Sequence, residues 1–431
     1  MNAQVSFVAV PLRVPLKFGA ETVTDLCDVV VEVESYGAHG VGETPLSASW
    51  GWPSSDLSYS FREEKMKAFC RLLAERWPEP RLDPMCADYV FVDECLPKLL
   101  AEFNGREGCS MPHLAALICA ASFDIAIHDA YGRSQGVSAY ATYDAAHMAH
   151  DLAWFFGDSA FEGKYPSDFF VQCVPDSLPV WHLVGGRDLL REDERTGAEP
   201  DDGYPVSLER WILRDGLTSL KVKLTGDDAE WDYRRIVAVG EIALPMGVKA
   251  LSPDFNCRVR DPRYVNGVLD RLATEHPAIY AALLYVEQPF PYDLEAHRID
   301  VRSVSGRKDL FMDESAHDWR MVRLGRSLGW SGVALKTCKT QTGALLSACW
   351  AKAHGMKLMV QDLTNPRLAI RPHALLAAHV GTIRGVECNA AQFCPAASAD
   401  FERMLPGLYE RRGGVVRVEE LLCMKGLGGM E

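Results

Sequence analysis

The chain is short of positive charge. Its 431 residues carry 45 Lys and Arg against 59 Asp and Glu, a formal net charge of −14. No basic run and no basic–aromatic interleaving offsets the excess, so nucleic acid and anionic membranes are excluded as expected partners. A C-x-x-C pair is also missing: the 13 cysteines stand singly between Cys27 and Cys423, mostly in apolar stretches such as those around Cys119 and Cys349. That pattern reads as reduced, buried thiols in a cytoplasmic protein rather than a disulfide framework. No uninterrupted apolar stretch approaches the ~20 residues of a membrane span. The N-terminal Met1-Asn2-Ala3-Gln4-Val5 has neither the positive nor the apolar region of a secretory leader. There is no H-x-H, which argues against a barrel hydrolase with histidine metal ligands. His147 and His150 could share a helix face, but no further ligand accompanies them, so a surface or packing role is expected. Gly426-Leu427-Gly428-Gly429 neither follows a strand nor opens a helix, and reads as a frayed end.

What is present supports two domains: 48% hydrophobic residues over this length can bury real cores. Residues 5–45 read as antiparallel strands, with a turn marked by Gly37 and Gly40 ahead of Val41-Gly42-Glu43. Residues 62–135 read as helices from apolar spacing near 3.6. Strands followed by a block of helices predict an α+β domain over residues 1–140. Residues 141–178 read as a connection or insertion, and 191–204 as an exposed loop. From 179 to 397 short apolar runs alternate with helical stretches, and eight strands can be counted. The expected fold class is therefore α/β: a modified (β/α)8 TIM-type barrel behind an N-terminal α+β capping domain. The segment 398–431 is expected to pack on the capping domain.

Several of these strands stop at a charge. The tips are Leu220-Lys221-Val222-Lys223, Ser252-Pro253-Asp254-Phe255-Asn256, Tyr285-Val286-Glu287-Gln288-Pro289, Phe311-Met312-Asp313-Glu314-Ser315 and Ala334-Leu335-Lys336. They are strands two to six, so the second and sixth face each other across the ring with the other three on the arc between. Asp254, Glu287 and Asp313 then converge, and three such carboxylates repel unless a cation sits among them. All-oxygen ligation suits Mg²⁺, with Mn²⁺ as a substitute ion. Lys221 and Lys223 point the same way from one strand, and two adjacent ammonium groups are expected to depress each other's pKa so that one can act as a base. The chemistry this suits is abstraction of a proton beside a substrate carboxylate.

Taken together, these residues resemble the enolase superfamily, and within it the muconate-lactonizing branch. The matching motifs are K-x-K at Lys221/Lys223, D-x-N at Asp254/Asn256, Glu287-Gln288-Pro289, Asp313-Glu314-Ser315 and K-x-x-K at Lys336/Lys339. Gly40-Val41-Gly42-Glu43 and Ser122-Phe123-Asp124-Ile125-Ala126-Ile127-His128-Asp129 resemble the family's capping domain. The resemblance implies that Asp254, Glu287 and Asp313 bind the metal. It implies that Lys223 and Lys336 are the acid/base pair, with Lys221 tuning Lys223. Asn256, Glu314 and Lys339 are supporting candidates. Cap segments Leu16–Thr22 and Pro45–Ser54 are expected to close over the site, and Trp50 and Trp52 on the second are candidates for contact with substrate. Three departures stand out. Gln341-Thr342 replaces the glycine pair that often follows the sixth-strand motif. Strand seven ends in Gln361-Asp362 without a histidine. Strand eight ends in Cys388-Asn389-Ala390 without the paired aspartates that hold an ammonium group in dipeptide epimerases. The implied activity is racemisation or epimerisation of a small carboxylate, with cycloisomerisation or syn-dehydration as alternatives on the same residues and a non-catalytic binding protein as the alternative of another class. A symmetric homo-oligomer is implied as well.

Overall fold

A three-stranded antiparallel sheet opens the chain: β1 (Asn2–Phe18), β2 (Glu21–Ser35) and β3 (Ala38–Pro45), with β2 in the middle. The computed structural model describes residues 1–18 and 21–429, so part of the expected lid over Leu16–Thr22 lies outside the described residues. The β1–β2 register shifts between Pro11 and Leu16, where Pro11 and Pro15 cannot donate to the ladder. Tyr36 and Gly37, at φ 53° and 77°, make the two-residue turn from β2 to β3. Gly40, expected from sequence to mark that turn, instead lies inside β3. A Cβ on Gly40 would meet Ala126 O at 2.2 Å, and one on Gly42 would meet Ser122 O at 2.0 Å. The two glycines let the sheet touch the backbone of a helix.

That helix is α3 (His113–Ser134), which follows α1 (Tyr59–Arg76) and α2 (Leu96–Glu107). By length and composition α3 could cross a membrane, but 94% of its apolar window is buried inside the protein. Its few polar residues are anchors: Ser122 Oγ lies 2.6 Å from Thr44 Oγ1, and Asp129 accepts from Val41 N (3.1 Å) and Leu427 N (2.7 Å).

Eight parallel strands then close a barrel: β4 (Ser177–Val184), β5 (Ser219–Lys223), β6 (Ala250–Asp254), β7 (Tyr285–Glu287), β8 (Asp309–Met312), β9 (Gly332–Leu335), β10 (Lys357–Val360) and β11 (Val386–Glu387), with β11 paired to β4. The connecting helices are α4 (Leu208–Asp215), α5 (Ala229–Ala243), α6 (Pro262–Glu275), α7 (Trp319–Leu328), α8 (Gln341–Ala353) and α9 (Ile370–Val380); β7 and β8 are joined through the single turn Arg302–Ser305. Strand periodicity of two layers the lumen. Trp181, Ala250, Tyr285, Phe311 and Met359 form a buried apolar plug. Two residues further along their strands stand Glu287, Asp313 and Gln361, so the polar layer sits directly on the plug.

Residues 398–425 lie largely against the barrel, contrary to the expectation that the C-terminal segment packs on the capping domain. β12 (Val415–Arg417) pairs antiparallel with the start of β4. The end of the segment reaches the cap, where Asp129 accepts from Leu427 N and Gly429 N and Ala139 N donates to Gly426 O. Arg411 is buried beside the β4–β11 seam, with Nε and Nη2 at 2.8 and 2.7 Å from Asp215 Oδ2 and Nη1 at 3.1 Å from His182 Nδ1. The 191–204 stretch is mostly exposed, yet Arg13 of β1 grips Asp202 with two 2.7 Å hydrogen bonds. On the other side of the cap, Glu43 of β3 accepts from Arg367 Nε (2.8 Å) and Leu368 N (3.3 Å), beside the fully buried Asp28.

Arg411→Ala strands the Asp215 carboxylate in a dry site and is expected to cost about 3–5 kcal/mol, read from urea unfolding. Unchanged stability would show that water replaces the guanidinium. Asp28 gives a pH-dependent prediction. Burial, then the neighbouring Glu43, pushes its pKa well above the ordinary 3.8. The folded protein therefore keeps this proton to higher pH than the unfolded chain does. Unfolding releases it, so this contribution to stability is present in acid and is lost as pH rises from about 4 through the folded pKa. Asp28→Asn should melt progressively higher than the parent from pH 4.5 to pH 8; a constant difference in Tm would contradict the assignment.

Candidate active site

The strand tips converge as the topology requires. In the closed order, β5 and β9 are separated by three strands on either side, so their lysines face each other across the mouth. Lys221 lies deep, 2.6 Å from Glu287 Oε1, 3.2 Å from Glu387 Oε2 and 3.4 Å from Asp254 Oδ2. Lys223, one layer higher, pairs with the same Asp254 oxygen and donates to Asn256 Oδ1 at 2.9 Å. Asn256 has φ 50°, and its amide returns to Leu224 O and Asp254 O at 3.3 and 3.2 Å. It fixes the turn and holds Lys223. On the opposite wall Lys336 lies 3.1 Å from Asp313 Oδ2 and donates to Asp362 O at 3.2 Å. Lys339 donates to Asp313 O at 2.6 Å and to Ala334 O at 3.4 Å, so it braces the tip rather than facing the lumen.

The motif between the carboxylates has a local reason. Gln288 turns back at φ 30°; its Oε1 accepts from Asp313 N at 2.7 Å and its Nε2 donates to Ser315 Oγ at 2.6 Å. The Glu-Gln-Pro tip thus sets the backbone of the Asp-Glu-Ser tip. Beside them a cleft of about 360 Å³ opens under the Ser49–Ser55 turn of the cap, lined by Trp50, Asn256, Tyr292 and Glu314 among others. The Trp50 ring centroid is 4.9 Å from Lys336 Nζ.

Six carboxylates meet four lysines here: Asp254, Glu287, Asp313, Glu314, Asp362 and Glu387 against Lys221, Lys223, Lys336 and Lys339. The negative charge is in excess and the pKa directions record it. Burial pushes Glu287 up to about 8, against Lys221 and with help from Asp254, Asp313 and Glu387. Burial and Asp313 push Glu314 up to about 7. Burial and Glu387 push Asp362 up to about 7. For Asp254, burial is outweighed by Lys223 and Lys221, and its pKa falls below the ordinary range. Among the described residues no three Asp, Glu, His or Cys side chains stand in ligating geometry; Asp254, Glu287 and Asp313 each lean onto a lysine instead. The donor set nevertheless fits a hard divalent cation: the donors are buried carboxylate oxygens, and the carboxyl groups outnumber the lysines around them.

Residues 205–428 match the family described as enolase C-terminal domain-like. The chain belongs to this family. An aromatic dipeptide epimerase from Herpetosiphon aurantiacus is 25% identical over 248 residues, covering 57% of this chain and 65% of that relative, so the match spans less than two thirds of it. Among solved structures, a mandelate racemase/muconate lactonizing protein from the same organism aligns over 100% of this chain and 98% of its own, at TM-score 0.65 and 19% identity. A dipeptide epimerase from Enterococcus faecalis V583, solved with Mg and the dipeptide L-Leu-L-Tyr, aligns over 99% and 98% at TM-score 0.64 and 17% identity. At those identities the structures show the fold.

Within this enolase-like site, two side chains escaped the sequence reading. Glu387 points into the lumen at Lys221, and Gln361 bridges Lys221 (3.3 Å) to Glu287 (2.5 Å). Counting back two from Asn389 along β11 would have found Glu387. Two expectations are corrected. Trp52 does not line the cleft; it is buried in the cap core with its carbonyl held by Arg62 at 2.5 Å. The Lys221 pKa is not depressed by its neighbour. Burial does oppose its charge, but Glu287, Glu387, Asp254 and Asp313 outweigh that and raise it well above 10.5. His147 and His150 form no metal site: His147 Nδ1 is 2.8 Å from Asp144 and His150 stacks on Trp154.

A divalent cation bound by this set should raise Tm saturably with MgCl₂, by the equivalent of about 2.7 kcal/mol at a hundredfold excess over Kd. In Glu287→Gln the Mg²⁺ increment should vanish while the metal-free protein stays folded. An increment unchanged in that variant would place the ion elsewhere.

Proposed function

We propose that this protein catalyses 1,1-proton transfer, an epimerisation or racemisation, at the carbon next to a substrate carboxylate. The observation that carries the reading is the pair of lysines, Lys223 and Lys336, reaching the mouth from opposite walls with the carboxylate arc between them. Lys223 would take the α-proton on one face and Lys336 would deliver one on the other. Asn256 and Asp254 orient the first, and Asp313 and the Asp362 carbonyl orient the second. Asp254, Glu287 and Asp313 would hold Mg²⁺. When bound, the ion supplies positive charge for the carboxylate as negative charge builds on it with loss of the α-proton. The apolar plug below and Trp50 above exclude water, which strengthens each of these interactions.

The proposed substrate class is an N-acylated amino-acid carboxylate, dipeptides included. The aromatic dipeptide epimerase relative supports it. So does the strand-seven and strand-eight rim, where Asp362 Oδ1 and Asn389 Oδ1 are buried acceptors without hydrogen-bond partners. Such acceptors favour a substrate that brings N–H donors.

The test is α-proton exchange in D₂O followed by NMR, with Mg²⁺ and with EDTA. The panel holds dipeptides, N-acyl amino acids, sugar acids and muconates. Mg²⁺-dependent exchange with inversion on the first two classes is expected, and Lys336→Ala should lose about 10²-fold or more in exchange from one enantiomer while retaining it from the other. Cyclisation of muconates without inversion of any amino-acid derivative would replace this reading with a cycloisomerase.

A further inference from the structure

Lys336 is followed by a single 3₁₀ turn, Thr337–Lys339, and then by Thr340 at φ 71°, ψ 149°. That backbone region is nearly reserved for glycine, and a threonine stays there only when its surroundings hold it. The next two residues, Gln341 and Thr342, stand where a glycine pair is common. Both side chains are buried and both are engaged by the cap and the connection that follows it rather than by the barrel. Thr342 N donates to Asp124 Oδ2 and Thr342 Oγ1 to Asp124 Oδ1, each at 3.0 Å. His128 Nε2 lies 2.8 Å from Thr342 Oγ1, and His128 Nδ1 lies 3.0 Å from Tyr143 Oη. Gln341 Nε2 donates to Tyr140 Oη at 3.0 Å and Tyr143 Oη at 3.4 Å. Donor directions follow in one sense. Gln341 donates to Tyr143, Tyr143 to His128, His128 to Thr342, and Thr342 to the Asp124 carboxylate. Asp88 stands against Thr340 and Thr342 as well. Every member is buried, so a broken link leaves an unsatisfied polar group in a dry site.

We propose that Asp124 and His128 of the cap and Tyr143 of the connection, acting through Thr342 and Gln341, are positioning residues for Lys336, locking the Thr340 turn that sets the direction of its backbone. Both ammonium groups have barrel partners, Asp313 and the Asp362 carbonyl for Lys336 and Asp254 and Asn256 for Lys223, but the backbone turn after Lys336 is in addition tied to the capping domain. The asymmetry distinguishes a positioning role from general stabilisation, because damage to the latch must fall on one face of the substrate.

This inference rests on the lysine-pair reading above, and two measurements keep the two separable. The first compares Thr342→Val, Tyr143→Phe and Thr342→Ser in the D₂O exchange assay on both enantiomers. In Thr342→Val and Tyr143→Phe, exchange from the Lys336 face should fall about tenfold or more, with less than about twofold change from the Lys223 face and in KM, and Thr342→Ser should restore it. Equal loss at both faces, or no loss, overturns the proposal. The second needs no substrate: amide hydrogen exchange of peptides spanning 337–343 in the folded parent and variants. Protection there should fall at least about tenfold in Thr342→Val with Tm little changed, and unchanged protection overturns the latch even if no substrate is ever turned over. Should Thr342→Val fail to fold, Tyr143→Phe carries both readouts. Absence of exchange from both faces of every compound in the parent bears on the lysine-pair reading alone.

Discussion

Negative charge confined out of water is the constraint on which this structure turns. Six carboxylates share the barrel mouth with four lysines, and the plug of Trp181, Tyr285, Phe311 and Met359 keeps water from below. A charge imbalance of that kind is costly in a dry interior unless something answers it. In the present arrangement the lysines answer part of it: Lys221 touches three carboxylates, and Glu287 moves towards protonation with its pKa at about 8. The rest is left for a cation. On the proposed reading, the same excess would give a divalent ion its affinity, and stability and function would draw on one electrostatic source.

The capping domain completes the electrostatics as well as the shape. Trp50 lies over Lys336 and Lys339 with its ring face within reach of both ammonium groups, an interaction that strengthens when the site is closed to solvent. The cap is joined to the barrel by further buried polar contacts: Glu43 with Arg367, Asp124 with Thr342 and Asp129 with the C-terminal residues. A cap anchored at several points is a rigid roof rather than a free lid. The described part of the site is therefore preorganised, which is what charge stabilisation during proton transfer requires.

Most of this architecture was legible in the sequence because it depends on period and position. Alternation of two along each strand aims Lys221 and Lys223, or Tyr285 and Glu287, the same way, and the strand order alone sets β5 against β9. The features that were not legible depend on partners distant in the chain. Glu387 is not evident in the sequence because β11 is only two residues long and Asn389 reads as its tip. The pKa of Lys221 goes against expectation because one visible neighbour, Lys223, counts for less than carboxylates contributed by four other strands and their tips. Trp50 and Trp52, two residues apart, looked equivalent; the turn between them sends one to the cleft and the other under Arg62. Gly40 looked like a turn residue, whereas its missing side chain answers to Ala126, more than eighty positions later.

The division of labour between the two walls follows from the same geometry. Lys223 and its partners Asp254 and Asn256 all belong to adjacent barrel strands and their tips, so their arrangement is set by the barrel ladder itself. The Lys336 ammonium is held by Asp313 and the Asp362 carbonyl, but the chain leaves β9 into a turn whose threonine occupies glycine's backbone region, and the Thr342 that follows this turn is held by Asp124 and His128 on α3. If the two lysines are the acid/base pair, such a protein could alter its cap without disturbing Lys223, while the turn after Lys336 would respond to a change in how the cap sits. Replacement of a glycine pair by Gln341-Thr342 makes sense in that light: side chains give the cap something to hold, and glycines would not.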